Sequence, residues 1–285
     1  MADRPYRSAL YIPGSKPRAL DKARGLATDA ILFDLEDAVT PSEKAAARDT
    51  LAAELARGGY GNRARIVRVN GLDTEWGGDD LKAVANMDCD GVLVPKVGRV
   101  EDVETVAAQI DGAPIWAMIE TPAGVLNAPA ICEHPRVAGI VMGTNDLAKD
   151  LGTRAGQRRE PLLYALSQGV LAARAFDCIA LDGVYNAFKD DAGLAAECEQ
   201  GRDLGFDGKT LIHPAQLNIA NRAFGPTPDE IDLAERQIAA FDAAQAEGQG
   251  VAVVDGKIVE NLHIVSARAT LAKARAIVEM EEGSQ

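Results

Sequence analysis

The sequence has few of the residues that bind soft metals or form disulfides. Four cysteines and three histidines occur among 285 residues, and neither type is clustered. They are Cys89, Cys132, Cys178, Cys198, His134, His213 and His263. Scattered cysteines predict reduced, mostly structural thiols rather than a disulfide framework, and dispersed histidines argue against zinc. Any metal site should therefore use oxygen ligands.

Basic charge and long apolar runs are also scarce. Lysine and arginine number 30 against 43 aspartates and glutamates, and the formal net charge is -13. This balance disfavours nonspecific binding to nucleic acid or anionic membranes, so an anionic substrate would need a local basic patch. No run is long enough to cross a bilayer, and residues 1–7 lack the apolar core of a signal peptide. We therefore expect a cytoplasmic protein.

Eight short apolar runs, separated by helix-like spacers, give the chain its organisation. They cover residues 8–14, 30–39, 64–71, 91–97, 115–124, 139–147, 179–185 and 207–214. Eight strand-and-helix repeats fit an α/β fold of the (β/α)8 TIM-barrel type better than an open sheet. We predict a catalytic barrel over residues 1–225 and an extension over residues 226–285. The extension combines a hairpin at Asp255-Gly256 with helices, and it could be a lid, an oligomer contact or both.

Two neighbouring runs each end in a carboxylate. Glu120 follows the run that begins at Ile115, and Asp146 follows the run that begins at Gly139. In a parallel barrel the carboxyl ends of the strands meet at one face, where active sites are built. The two carboxylates would then point into one space and share a divalent ion, for which Mg2+ is suited.

Other polar residues fall at the same ends of the runs. Asp34, Glu36 and Asp37 alternate with apolar residues, a pattern that indicates a lined site rather than a solvated face. Arg68 fits either a substrate carboxylate or an ion pair with a nearby core acid. Lys96 could form a Schiff base, stabilise an enolate or neutralise a nearby carboxylate, and we favour neutralisation.

The segment after the first run is basic and opens a helix. Ser15 is a plausible cap, and Lys16, Arg18 and Lys22 lie in or near the first turns. Free backbone N–H groups and positive charge at a helix start favour a phosphate group. A solvated helix face is the alternative.

Together these motifs resemble the citrate lyase β-subunit-like (CitE-like) family, within the HpcH/HpaI aldolase/citrate lyase group. They are SALYIPG (8–14), LFDLEDAV (32–39), RVN (68–70), VPK (94–96), IETP (119–122), GTNDL (143–147) and GKTLIHP (208–214). The resemblance extends from about residue 7 to residue 275 and keeps the order and spacing of the family.

The resemblance implies a Mg2+-dependent barrel, with Mn2+ as a possible substitute, that acts on acyl-CoA thioesters of hydroxy acids. Glu120 and Asp146 match the metal ligands of the family, and Arg68 matches the arginine that grips the carboxylate of the keto acid. Glu36 and Asp37 match an acidic pair beside metal-bound waters.

The resemblance also predicts a coenzyme A site and an oligomer. The substrate and coenzyme A set comprises Tyr11, Lys16, Arg18, Lys22, Arg68 and Pro122. Family members are usually homotrimers or homohexamers whose carboxyl-terminal segment reaches an adjacent subunit. In lyases that segment ends in a catalytic Asp within a Gly-x-Met-Ile-Asp pattern. Here the matching residue is Glu260, one methylene longer, and a solvated hairpin residue is the alternative.

Within the family the sequence is most similar to members that hydrolyse (3S)-malyl-CoA to malate and coenzyme A. Cleavage to glyoxylate and acetyl-CoA is the neighbouring possibility. A metal-free Schiff-base aldolase that uses Lys96 or Lys209, and a noncatalytic subunit, are further alternatives. His213 is read as a catalytic base or a structural residue, whereas Asp34, Asp182 and Lys209 are expected to hold the site residues in place.

Overall fold

The protein forms a closed barrel of eight parallel strands, and β8 pairs with β1. The structure is a computed structural model that describes residues 4–154 and 159–282. The strands are β1 (Ser8–Pro13), β2 (Ala30–Asp34), β3 (Ala64–Arg68), β4 (Gly91–Val94), β5 (Ile115–Ile119), β6 (Val137–Met142), β7 (Ile179–Asp182) and β8 (Gly208–Leu211). The predicted (β/α)8 TIM barrel is confirmed.

Helices surround the barrel and continue beyond it. They are α1 (Pro17–Ala23), α2 (Lys44–Arg57), α3 (Gly77–Val84), α4 (Val100–Ala107), α5 (Pro122–Glu133), α6 (Thr144–Asp150), α7 (Leu163–Ala175), α8 (Asp191–Leu204), α9 (Leu217–Phe224), α10 (Pro228–Ala246) and α11 (Asn261–Glu282). Within the described residues, no helix is both long and apolar enough to cross a membrane. All four cysteines are free thiols, and three of them are buried.

The start of α1 differs from the prediction. Lys16, not Ser15, is the N-cap, and its side chain makes no capping hydrogen bond. The Ser15 hydroxyl is buried without a hydrogen-bond partner. Pro17 at the first helical position needs no N–H partner and has a φ suited to a helix, so it sets the start two residues after Ser15. The predicted serine cap is therefore wrong.

A layer of side chains fills the barrel and closes its amino-terminal end. Tyr6, just before β1, packs on Trp116 of β5 with a ring-centroid distance of 5.3 Å. A Cβ on Gly139 would come within 2.6 Å of the Trp116 ring, and one on Gly91 within 2.9 Å. These glycines make room for the indole. Trp116 and Tyr6 therefore fill the interior near the amino-terminal ends of the strands.

The extension forms a small core of its own. A hairpin of β9 (Ala252–Val254) and β10 (Lys257–Val259) confirms the predicted turn, and it packs with α10 and α11. The helix α11 runs across the amino-terminal end of the barrel, where Glu281 lies 3.4 Å from Arg7. In this chain the extension therefore covers the face opposite the carboxyl ends of the strands.

Candidate active site

A cavity of about 360 Å3 opens at the carboxyl ends of the strands. Its lining includes six residues singled out from the sequence, which are Tyr11, Asp34, Asp37, Arg68, Glu120 and Asp146. They come from five different strands or the loops that follow them. The barrel therefore unites residues that are far apart in the sequence, as this fold does in enzymes.

Glu120 enters the cavity directly after β5. Its side chain is buried, and Oε1 accepts a hydrogen bond of 2.8 Å from the backbone N–H of Lys96. Lys96 has a φ of 54°, which turns that N–H towards the carboxylate. The Lys96 ammonium forms no ion pair with any described residue, and its contact with Glu120 is made by the backbone; its charge nevertheless lowers the pKa of Glu36, in the direction of the neutralisation expected.

Asp146 lies in the first turn of α6, and Gly143 caps that helix. A Cβ on Gly143 would overlap the Glu120 side chain, including its carboxylate. This close approach is the physical reason for a glycine at the start of α6. Gly143 thereby lets the carboxylate of one strand lie against the helix that bears the other.

The two carboxylates interact electrostatically. Burial, together with the charges of Glu36 and Asp146, raises the pKa of Glu120 to about 8 against the lowering effects of the Lys96 N–H and of Arg68. Burial likewise raises the pKa of Glu36 to about 7, although the Arg68 guanidinium opposes this shift. Both pKa values are raised because several carboxyl groups lie close together in a poorly solvated space.

Arg68 is buried at the end of β3 and paired with core acids. Its Nε and Nη2 atoms donate to the two oxygens of Asp34 at 2.7 Å each. Its Nη1 atom lies 2.7 Å from Glu36, and the guanidinium stacks over Tyr11 with a distance of 4.7 Å to the ring centroid. Of the two partners considered from the sequence, the structure shows the core acid, and Arg68 also lines the cavity.

The acidic loop after β2 is fixed by buried polar groups. Asp34 accepts hydrogen bonds from the backbone N–H groups of Glu36 and Ala38, each at 2.9 Å. Lys44 donates to the carbonyl oxygens of Leu35 and Glu36 and to Asn70 Oδ1, at 2.9, 2.7 and 2.6 Å. Asp34 thus holds Arg68 and the acidic loop together, as expected.

The donor set fits a hard divalent cation. Four described residues of the cavity lining are acids, namely Asp34, Asp37, Glu120 and Asp146, whereas Arg68 is the one base. No group of three histidine, cysteine or acidic side chains converges as a metal site within the described residues. Two carboxylates with water are a common ligand set for Mg2+, which keeps part of its hydration shell.

Other predicted residues lie outside the lining of this cavity. Lys16 is 3.2 Å from Glu43, with both side chains exposed. Arg18 and Lys22 are exposed on α1, and Pro122 begins α5. Glu260 is exposed at the end of the hairpin, where its backbone N–H donates to His263 Nδ1 at 3.0 Å.

The expected positioning roles of Asp182 and Lys209 differ from the contacts observed. Lys209 Nζ donates to Asp182 at 2.9 Å and to Glu197 at 2.7 Å, and Arg159 donates to Asp182 at 2.6 Å. Lys209 and Asp182 are fully buried in this ion cluster. They stabilise one another rather than contacting Glu120 or Asp146, because burial of either charge requires a paired partner.

His213 has a structural contact. Its Nδ1 atom accepts the backbone N–H of Ala215 at 3.1 Å, and its ring stacks on Phe188 with centroids 4.6 Å apart. The helical turn that follows begins at Pro214, so His213 is its cap. This hydrogen bond occupies the nitrogen that a general base would need unless it used Nε2.

Sequence reasoning missed the neutral half of the cavity. Its lining also includes Met118, Met142, Asn145, Val184, Asn186, Thr210 and Ile212. Asn186 lies four residues after the end of β7, in a loop of the kind that supplies site residues in barrels. That rule could have identified it, whereas the inward methionines cannot be distinguished from core residues in the sequence.

These observations define a (β/α)8-barrel protein with an acidic cavity beside a buried arginine at the carboxyl ends of the strands. The family model for "HpcH/HpaI aldolase/citrate lyase" matches residues 7–214. The chain belongs to this family.

Relatives with known names cover nearly the whole chain. It is 64% identical over 273 residues to a (3S)-malyl-CoA thioesterase of Cereibacter sphaeroides, which is 96% of each protein. It is 35% identical over 283 residues to citrate lyase subunit beta of Escherichia coli, covering 95% of this chain and 94% of that one.

A solved structure agrees with the fold. The protein CitE from Mycobacterium tuberculosis, in complex with magnesium, acetoacetate and coenzyme A, superposes with a TM-score of 0.80 at 28% identity. The match covers 96% of this chain and 99% of that chain. It therefore includes the extension as well as the barrel.

Proposed function

We propose that this protein hydrolyses (3S)-malyl-CoA to malate and coenzyme A with a divalent cation. The observation that supports this most is the convergence of Glu120, Asp146 and Arg68 on one cavity, in a chain 64% identical to a (3S)-malyl-CoA thioesterase. A metal-binding pair and a guanidinium match the hydroxyl and carboxylate at the malyl end of the substrate.

Glu120 and Asp146 would hold Mg2+, with Mn2+ as a second candidate. A cation bound there acts as a Lewis acid on the oxygens of the malyl group. Arg68 would orient the malyl carboxylate through the second N–H of Nη2, because Nε and the first Nη2 N–H are held by Asp34 and Nη1 lies 2.7 Å from Glu36. Asp34 therefore fixes the direction in which Arg68 presents its remaining N–H groups.

The coenzyme A moiety would leave the cavity past β1 and α1. Tyr11 lines the cavity, and Arg18 and Lys22 present exposed charges on α1. These positive charges are suited to the phosphate groups of coenzyme A. Lys16 would add a third positive charge when its ammonium leaves Glu43 and binds a phosphate oxygen. Pro122 begins the helix after Glu120 and would border the substrate.

A carboxylate must activate water at the thioester carbonyl. Asp37 lines the cavity, and Glu36 lies outside its lining but pairs with Arg68, so both acids would order water near the metal. Glu260 would supply the base from a neighbouring subunit of a homotrimer or homohexamer, because in its own chain it does not line the cavity. The longer glutamate side chain suits attack by water at the thioester carbonyl.

The lyase reaction is the second candidate, favoured by the 35% identity to citrate lyase subunit beta. It would cleave malyl-CoA to glyoxylate and acetyl-CoA and release no thiol. Incubation of the purified chain with (3S)-malyl-CoA and Mg2+ separates the two reactions. Free thiol without glyoxylate supports hydrolysis, whereas glyoxylate equal to the substrate consumed overturns it.

A Schiff-base aldolase is disfavoured by the burial of Lys209 between Asp182 and Glu197. Lys96 is exposed, and we expect no borohydride-trapped adduct with a keto acid at either lysine. EDTA should abolish the activity of the proposed enzyme. Turnover by the purified chain alone would also exclude a noncatalytic subunit.

A further inference from the structure

Two asparagine side chains join neighbouring loops at the rim of the cavity. Asn186 Nδ2 donates to Asn145 Oδ1 at 2.8 Å, and Asn145 Nδ2 donates to Asn186 Oδ1 at 3.3 Å. Both residues line the cavity. A side-chain amide has two N–H groups, so each asparagine retains one after this exchange.

The loop that bears Asn186 is fixed by contacts on both sides. A Cβ on Gly183 would come within 2.7 Å of both the Thr144 side chain and the carbonyl oxygen of Met142, so the loop lies closely against β6. On the other side, Gln216 donates to the carbonyl oxygen of Tyr185 at 2.9 Å. The backbone that bears Asn186 is therefore held in place, and the exchange with Asn145 orients its exposed amide before substrate binds.

Charge divides the cavity into two halves. Acids and Arg68 occupy the half formed by the ends of β2, β3, β5 and β6. The half formed by β7 and β8 presents Val184, Asn186, Thr210 and Ile212. The malyl end belongs to the charged half, so the thioester extends towards the neutral one.

Few groups in the neutral half can donate a hydrogen bond. The Thr210 hydroxyl already donates to the carbonyl oxygen of Asp182 at 3.0 Å. Tyr11 stacks over Arg68 and so belongs to the charged half. Among the described lining residues that follow β7 and β8, the remaining amide N–H of Asn186 is therefore the side-chain donor available to the thioester, whereas the free N–H of Asn145 belongs to α6, after β6.

We propose that Asn186 is a catalytic residue that donates a hydrogen bond to the thioester carbonyl oxygen, and that Asn145 positions it. The inference rests on the proposed function. When water attacks the carbonyl carbon, it gives one proton to the carboxylate that activates it, and the π electrons move to the carbonyl oxygen and create a negative charge. The C=O bond re-forms as the C–S bond breaks, and the sulfur leaves as coenzyme A thiolate, which takes up that proton. A preorganised donor stabilises the charged oxygen more than the neutral carbonyl.

The test compares Asn186→Ala with Asn127→Ala. Asn127 is an exposed asparagine on α5 that donates to the carbonyl oxygen of Gly98, away from the cavity. Removal of the donor should lower kcat for (3S)-malyl-CoA about 100-fold while KM changes less than about threefold. The Asn127 variant should retain wild-type kcat and KM.

Two binding measurements distinguish a loss of catalysis in the Asn186 variant from a loss of its folded structure. A thioether analogue of malyl-CoA, with a methylene in place of the thioester carbonyl, should inhibit wild type and the Asn186 variant with the same Ki. The affinity for Mg2+ should also be unchanged. A kcat within about threefold of wild type, or a parallel loss of Mg2+ affinity, would overturn the proposal. A wild-type chain that consumes no malyl-CoA would overturn the proposed function and this inference with it.

Discussion

Glu120 is the residue whose environment most strongly indicates a bound cation. Its carboxylate is buried beside Glu36 and Asp146, and its pKa of about 8 reflects these neighbours and the loss of solvent. A divalent ion would remove the repulsion between the carboxylates and favour their ionised forms. Metal binding and proton release should therefore be linked at this site.

Mg2+ affinity should rise with pH. Protons compete with the metal for Glu120, so we expect affinity to increase from pH 6 and to level off above about 8. Calorimetry in buffers of different ionisation enthalpy should detect proton release at pH 7. An affinity that does not vary between pH 6 and 9 would contradict the linkage.

The same pKa predicts how the metal-free protein responds to pH. Its folded-state value of about 8 exceeds the usual 4.5, so the folded protein binds a proton that the unfolded chain has released. The stabilisation is complete below the usual value and is lost as pH rises through about 8. Saturating Mg2+ should reverse this loss in thermal unfolding experiments.

Gly143→Ala should weaken metal binding without unfolding the barrel. The added Cβ overlaps the Glu120 side chain, which must move away from Asp146. We expect Mg2+ affinity to fall at least about tenfold, as observed when residues that orient metal ligands are changed. Gly78→Ala is the matched control, because a Cβ there meets nothing within 4 Å. Equal affinities in the two variants would contradict the close packing of Gly143 on Glu120.

For single residues, the sequence predicted which charged side chains line the cavity better than it predicted which groups they pair with. Glu120, Asp146 and Arg68 could be placed because polar groups at strand ends converge in a barrel. The pairing of Arg68 with Asp34 depends on the register between β2 and β3, which places the two residues opposite each other. Side-chain direction at Lys96 depends on a positive φ that no residue pattern revealed.

The loop between β2 and α2 is the element that most depends on a buried charge. Lys44 is buried at the start of α2 and donates to two backbone carbonyls of the loop and to Asn70. These bonds satisfy carbonyl groups that would otherwise lack partners. The ammonium therefore orders the loop that presents Glu36.

Lys44→Met should destabilise the fold and disturb this loop. The substitution shortens the side chain by one atom, keeps it unbranched and leaves three acceptors without their donor, at a cost of about 2 kcal/mol. Denaturant unfolding would measure the loss, and kcat should fall with it. Lys82→Met on α3 is the control, because Lys82 is exposed and pairs with Asp79 on the surface. A Lys44 variant as stable as this control would refute the role.

Strands and most helices could be predicted because their apolar spacing is local. The eight strands formed within or beside the predicted apolar runs, and the hairpin formed at its Asp255-Gly256 turn. Lys44 was not singled out, because surface lysines at helix starts look identical in a sequence. Burial depends on tertiary contacts that the local pattern does not specify.

At the scale of the molecule, the extension lies on the far side of the barrel from the cavity. Lys273 of α11 faces the amino-terminal ends of the strands. From there the helix leads outwards for about 20 Å to Glu260, at 1.5 Å per residue. Exposed apolar residues, including Val253, Ile258 and Leu262, mark this outer end. Such a surface is suited to contact with a second copy of the chain.

Mixed oligomers should reveal a Glu260 shared between subunits. Glu260→Gln and Asp146→Asn should each lose most turnover, and the Glu260 variant should keep its affinity for Mg2+. Random co-assembly of the two variants should restore about a quarter of the sites. In about one pairing of four, a subunit with an intact Asp146 lies beside a neighbour that supplies an intact Glu260. Glu279→Gln, an exposed position on α11, should remain active. No recovery would assign Glu260 to its own subunit or to neither.

Hydrolysis of (3S)-malyl-CoA by the wild-type chain in 18O-labelled water, with Mg2+ present, tests the proposed reaction most directly. We expect free coenzyme A thiol in step with malate that contains one 18O atom, in the carboxylate formed from the thioester. That position identifies the attacked carbon. Glyoxylate with acetyl-CoA, or label in acetate instead of malate, would contradict hydrolysis at this site.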